Sequence, residues 1–174
     1  MTYNATPKIC IYQNTTHTSH QKINSTTYTE VSGSKCNLNN SEQRSMNLYY
    51  KFNFSCGYDP SASSSQSSSG HQYLFNMKLQ SSNDNFSSDI TDIPNCKFNI
   101  SHDIIGAGSN TGSDLSIMTY TPFMILENFN KSYLRLMARV AQTSHYKGML
   151  HGYTTFDGSS YNWYYPSLLQ VVEI

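Results

Sequence analysis

The stretch Met46-Asn-Leu-Tyr-Tyr-Lys-Phe-Asn-Phe-Ser55 governs how the rest of the chain is read. Met46, Leu48, Tyr50, Phe52 and Phe54 fall on one side of an extended backbone, and Asn47, Tyr49, Lys51, Asn53 and Ser55 on the other. An unbroken period of two over this length fits no helix phase and predicts a β-strand with one dry face and one wet face. The dry face needs a second apolar surface to cover it, and the flanking sequence offers several.

The nearest is Tyr73, Phe75, Met77 and Leu79, alternating with Leu74, Asn76, Lys78 and Gln80. It predicts a partner strand, paired with the first as a long hairpin at the centre of an antiparallel sheet. Between the two lies a Ser-rich tract of low complexity, expected to be a flexible surface loop over 57–70. Further out, Leu134, Leu136, Ala138 and Val140 alternate with Tyr133, Arg135, Met137 and Arg139, which places both arginines on a wet face.

Shorter β-prone runs occur at Lys8–Tyr12, Tyr28–Val31, Cys36–Leu38, Leu115–Tyr120, Phe123–Leu126, Met149–Tyr153 and Leu168–Ile174, with a weak one around Cys96–Ile100. No segment has a convincing 3.6-residue period. Many short strands between Ser-, Asn- and Gly-rich connections, with strands at both ends, predict an all-β fold. The expected architecture is an antiparallel β-sandwich of jelly-roll type, a single domain over 1–174.

Composition narrows the functional classes. Only 13% of the 174 residues are charged, about half the usual globular share, while aromatics also reach 13%. Eleven basic and eleven acidic residues leave a formal net charge of zero, so no electrostatic footprint for nucleic acid or an anionic membrane is present. The opening Met-Thr-Tyr-Asn lacks a basic region followed by an apolar run, and no apolar stretch reaches bilayer length. The expectation is no signal peptide, no membrane insertion and no nucleic-acid partner.

Cys10, Cys36, Cys56 and Cys96 form no C-x-x-C pair, which argues against zinc ribbons and thioredoxin-like redox chemistry. Free buried thiols are the expectation, since an unbridged Cys behaves as a small hydrophobe. Cys36 and Cys56 flank the organising strand and are the pair to test for a disulfide. Eight Asn-x-Ser/Thr sequons follow largely from the abundance of Asn, Ser and Thr.

Catalytic signals are weak. Ile105-Gly-Ala-Gly-Ser-Asn-Thr-Gly112 imitates a phosphate-cradling loop, but the parallel strand and helix that such a loop needs are missing, so a turn is expected. His17 and His20 have no third ligand nearby in sequence, and His102, His145 and His151 stand apart. Asp84, Asp89, Asp92 and Asp103 share a loop region without EF-hand spacing. No Gly-x-Ser-x-Gly elbow occurs and no carboxylate pair is nominated, so no enzyme, metal or cofactor is expected.

For binding, the most suggestive stretch is Tyr161-Asn-Trp-Tyr-Tyr-Pro166, which holds the one Trp. Tyr161, Trp163, Tyr164 and Tyr165 beside amides and hydroxyls suit the C–H faces and hydroxyls of sugar rings. The same cluster equally suits capping the core or packing against a neighbouring subunit.

Three features together carry a family resemblance: Thr27-Tyr-Thr-Glu-Val-Ser-Gly33, leading by a polar turn into the Met46–Phe54 strand; the Gly/His tip into Tyr73–Leu79; and the Tyr133–Val140 strand followed by Gly158–Trp163 and a final Val172-Glu-Ile174. The arrangement resembles the small jelly-roll virion proteins of tailed phages and large algal viruses, whose fold is like that of tumour necrosis factor. The resemblance implies a protein on the virion surface, assembled as a homotrimer at a fibre tip or as a capsid decoration. It also implies other virion proteins as neighbours and a host-surface glycan or receptor as partner. Two further readings stand beside it: a minor capsid or cement protein with no receptor role, and a cellular lectin-like adhesion module. Fourteen tyrosines exceed what one small core uses, so wet-face aromatics are expected to serve partly as subunit contacts.

Overall fold

The dry face of the organising strand is fully covered: Leu48, Tyr50, Phe52 and Phe54 are all inaccessible to solvent. The computed structural model describes residues 8–15, 20–23, 25–58, 72–103, 118–141, 149–152, 154–155, 162–163 and 167–174. Among them the chain forms fourteen strands and no helix. In order these are β1 (Cys10–Thr15), β2 (His20–Ile23), β3 (Thr29–Glu30), β4 (Cys36–Asn37), β5 (Met46–Tyr58), β6 (Gln72–Ser82) and β7 (Thr91–Asp103). Then follow β8 (Met118–Tyr120), β9 (Phe123–Phe129), β10 (Tyr133–Val140), β11 (Met149–Gly152), β12 (Thr154–Thr155), β13 (Asn162–Trp163) and β14 (Ser167–Glu173).

Twelve of them make two antiparallel sheets, and β12 and β13 pair as a separate two-stranded ribbon. In the first, β5 has β14 and then β11 along one edge, and β9 and then β8 along the other; β1 adds outside β14, and β2 outside β11. The second has the order β3-β10-β6-β7, with β4 continuing the line of β3 along β10. The long strands therefore run β1-β14-β5-β9 in one layer and β3/β4-β10-β6-β7 in the other, the eight-strand interleaving of a jelly roll. The architecture expected from the sequence is the one observed: an all-β, antiparallel sandwich of jelly-roll type.

Local breaks in the strands have local causes. β8 and β9 are one edge interrupted at Pro122, which has no N–H for the ladder; its carbonyl instead accepts from Phe52 N–H at 3.0 Å. β3 and β4 are separated by a turn in which Ser34 N–H donates to Val31 O at 3.1 Å, and Gly33 takes the positive φ of 82° that this turn requires. Ser34 Oγ then exchanges hydrogen bonds with the Leu136 backbone, filling the gap in the ladder.

One expectation is corrected. β5 and β6 do not pair as a hairpin: β5 belongs to the first sheet and β6 to the second, where it pairs with β10 and β7. Phe75, Met77 and Leu79 are buried as anticipated, but they face the β5 side chains across the core. Stacking in separate sheets about 10 Å apart lets the two dry faces cover each other, whereas side-by-side pairing would leave both on one uncovered side. Of the 57–70 loop, Gly57 and Tyr58 are the end of β5, and the remainder lies outside the described residues.

The cysteines divide between the layers. Cys36 lies in β4 of the second sheet and Cys56 in β5 of the first, and Cys36 is a free, buried thiol, so no Cys36–Cys56 bridge is formed. Cys96 is also free and buried, and Cys10 is free and exposed.

Candidate interaction surface

A two-layer sandwich buries one face of each sheet and leaves the other to solvent or to a partner. The two outer faces here solve that problem differently. On the second sheet Arg135 and Arg139 of β10 and Asn76, Lys78 and Gln80 of β6 point outward beside Tyr133 and Met137, and the charged and amide groups satisfy one another. Arg135 directs Nε and Nη2 to Gln80 Oε1 at 3.0 and 2.8 Å, pairs with Glu30 at 3.3 Å, and lies 4.0 Å above the Phe86 ring. Arg139 and Lys78 both stack on Tyr28, at 4.7 and 4.3 Å, and Lys78 pairs with Asp92 at 2.7 Å. Burial pushes the Asp92 carboxyl up, yet hydrogen bonds from Lys78 and Gln80 and the charges of Lys78 and Lys97 hold it below its ordinary value. Aromatic rings thus cover the cations and carboxylates neutralise them, leaving this face polar and complete in itself.

The first sheet is different. Strand register places Cys10, Val172, Tyr49 and Ile125 side by side in one row across its outer face. The next row holds Tyr12, Gln170, Lys51 and Phe123. Tyr12 is 71% exposed, Phe123 63% and Ile125 59%, values that set them apart from a core. Tyr49 and Phe123 form a tilted aromatic pair with centroids 6.1 Å apart. Lys51 and Glu127 supply one charge of each sign to this face. The result is one apolar row crossing four strands and a second that is aromatic at both ends and polar in the middle, with Tyr12, Phe123 and Ile125 exposed, the pattern of a protein-contact surface.

Part of this surface was visible in the sequence. The alternation of Met46–Ser55 places Tyr49 on the wet side of its strand, and the structure has it on the outer face. Phe123 and Ile125 were read only as an apolar run. The available signal was that Phe123-Met-Ile-Leu126 is apolar on both faces, which a strand covered on one side does not need.

The other sites singled out from sequence fare as follows. Tyr161, Tyr164 and Tyr165 lie outside the described residues, and Trp163 is described only as backbone, paired with Thr154 in the β12–β13 ribbon. His17, His145 and the glycine-rich 105–112 also lie outside them. His20, His102, His151 and Asp103 are backbone members of β2, β7, β11 and β7.

The acids near the β6–β7 turn are engaged internally. Asp84 accepts from the N–H groups of Ser87, Ser88 and Asp89 and from the hydroxyls of Ser82 and Ser88, at 2.6–3.1 Å. Asp89 accepts from Asn83 N–H at 3.0 Å and from Lys131 at 2.9 Å. These carboxylates hold the turn, and no cluster of three or more metal-binding side chains occurs among the described residues. Nor does any helix long and apolar enough to cross a membrane. No family model matches the chain, and comparison with curated proteins found no relative.

Proposed function

We propose that this chain is a structural protein of the virion surface that assembles with copies of itself through the outer face of the first sheet. In this reading it forms a homotrimer at a fibre tip or as a capsid decoration and takes part in host attachment, without a catalytic role. The observation that carries it is the contrast between the two outer faces: one completes its own hydrogen bonds and ion pairs, the other leaves Tyr12, Phe123 and Ile125 bare. A second copy is the occupant the surface favours. Zero net charge removes long-range repulsion between copies, and Lys51 and Glu127 offer each copy one charge to pair with its neighbour's opposite. The jelly-roll fold supports the resemblance without adding to its specificity, since many functions share it.

The test is the solution mass by light scattering at micromolar concentration. Three copies per particle are expected, and Ile125→Lys is expected to give a monomer with an unchanged circular-dichroism spectrum. A wild-type monomer at every concentration overturns self-assembly and favours a cement protein that binds a different capsid chain. A trimer that binds neither host cells nor a glycan array retains the decoration role and removes the attachment role.

A further inference from the structure

The turn leading into the organising strand walls a cleft at one end of the sandwich. Asn37, Asn39, Ser41 and Gln43 form one side, and Asn83 of the β6–β7 connection, with Ser132 and Tyr133 at the start of β10, form the other, around a volume of about 440 Å³. That size lies within the range of small-ligand sites, about 300–1,000 Å³. Its lining is unusual in carrying no charge. Asn37, Asn39, Gln43 and Asn83 contribute carboxamides, Ser41 and Ser132 contribute hydroxyls, and Tyr133 contributes a half-exposed ring.

The cleft is built rather than incidental. Asn40 clamps the turn from within, accepting from Arg44 N–H at 3.0 Å through Oδ1 and donating to Arg44 O at 2.9 Å through Nδ2. Ser132 Oγ donates to Asn40 O at 3.0 Å, tying the two walls together. Asn39 and Gln43 sit at φ values of 54° and 52°, in the left-handed region that a residue with a Cβ occupies against steric resistance. Both are exposed, so the strained backbone holds two carboxamides open to a ligand. Asn83 Oδ1 is buried and has no hydrogen-bond partner among the described residues. A buried carboxamide oxygen without a donor is an unmet hydrogen-bonding need on a residue that lines the cleft.

The lining selects a chemistry by what it offers and what it lacks. A phosphate or sulfate calls for a cation, a metal ion for carboxylates and an apolar ligand for apolar walls, and the cleft lining supplies none of these. A carboxamide both donates and accepts, which matches vicinal hydroxyls, and the Tyr133 ring matches the C–H face of a pyranose. We propose that this cleft binds a neutral saccharide. It deepens the attachment role by naming a ligand class and a place for it, and it does not depend on the assembly proposed above, since none of the residues of the two outer-face rows lines the cleft.

The experiment is a titration of ¹⁵N-labelled protein, followed by side-chain amide resonances, with glucose, galactose, mannose and N-acetylglucosamine and with a panel of neutral oligosaccharides. Sodium sulfate, sialic acid and adenosine serve as comparators. Saturable shifts of the Asn39, Gln43 and Asn83 amides with at least one neutral sugar are expected. Gln43→Gly and Tyr133→Ala are expected to weaken that binding by about tenfold or more. Gln43→Gly keeps the fold, because glycine adopts the positive φ without strain. Silence across the neutral panel overturns the proposal, as does a stronger response to sulfate, sialic acid or adenosine, or full binding by Gln43→Gly. Light scattering on the same samples reports the assembly separately, so failure of either reading is told apart from failure of the other.

Discussion

The hydroxyl of Tyr50, at the centre of the core, donates a 2.8 Å hydrogen bond to the backbone carbonyl of Ser34. Tyr50 belongs to β5 of the first sheet and Ser34 to the turn between β3 and β4 of the second, so one bond ties the two layers through their apolar interior. Tyr50→Phe keeps the ring but leaves the Ser34 carbonyl without that donor. A loss of about 1–3 kcal/mol is expected from urea denaturation. A loss near zero would mean that water or a shift of the turn replaces the bond.

Burial pushes the Cys36 thiol up from its ordinary 9.0 to about 12, partly offset by a hydrogen bond with the Leu134 backbone. The unfolded thiol ionises near 9.0 while the folded one stays protonated, so its contribution is complete below that pH and is lost between 9.0 and about 12. Burial raises the Tyr50 phenol in the same direction from 10.0. Stability is therefore expected to decline above pH 9, by up to about 1.4 kcal/mol per pH unit for each such group, and less steeply in Cys36→Ala. At neutral pH, peptide mapping of the Ile125→Lys variant after brief iodoacetamide treatment is expected to find Cys10 alkylated and Cys36 and Cys96 protected until urea is added. An unfolding curve of Cys36→Ala parallel to the parent's across that range would count against the assignment.

The Ser88 hydroxyl, the Asp89 N–H and the Ser82 hydroxyl hold the Asp84 carboxyl far below the usual carboxylate range. Lys131 lowers Asp89, and the Arg44 guanidinium, which grips Glu173 with a second contact at 3.0 Å, lowers that carboxyl too. Each contribution is fully present above the unfolded value near 4 and disappears as the pH falls through the lower folded value. The melting temperature is expected to drop between pH 5 and 3, and to drop less in Asp84→Ala. The same variant is expected to exchange its Ser87, Ser88 and Asp89 amide protons faster at neutral pH. Unchanged exchange would mean that the turn holds without its carboxylate.

What the sequence made legible follows a physical divide. Period-two burial along Met46–Phe54 and Tyr133–Val140 is a property of one strand and needs no knowledge of its neighbours, so both strands were readable with their dry faces. Pairing is a property of two strands. The dry face of Tyr73–Leu79 asks only for cover, and cover came from across the sandwich. β2 escaped notice because His20-Gln-Lys-Ile23 carries no alternating signal and is a strand only by its backbone bonds to β11. β7 was under-read because Pro94, Asn95 at φ 59° and a register shift opposite Lys78–Gln80 break the alternation of Thr91–Asp103. The capping of Arg135 by Phe86 joins a strand to a loop and left no local trace. The cleft was visible only as a polar turn, since its far wall comes from two other connections.

The insertion of β14 between β1 and β5 has a consequence for how the protein is made. The other thirteen described strands precede β14 in the chain, and until it emerges β1 has no partner among them and one edge of β5 stands open along Leu48–Asn53. The first sheet therefore cannot close until β14 has been made, and before that the nascent chain carries open strand edges on β1 and β5. Completion waits on a pairing between residues far apart in the chain, which makes this a slow folder whose hazard is edge-to-edge association with other unfinished copies.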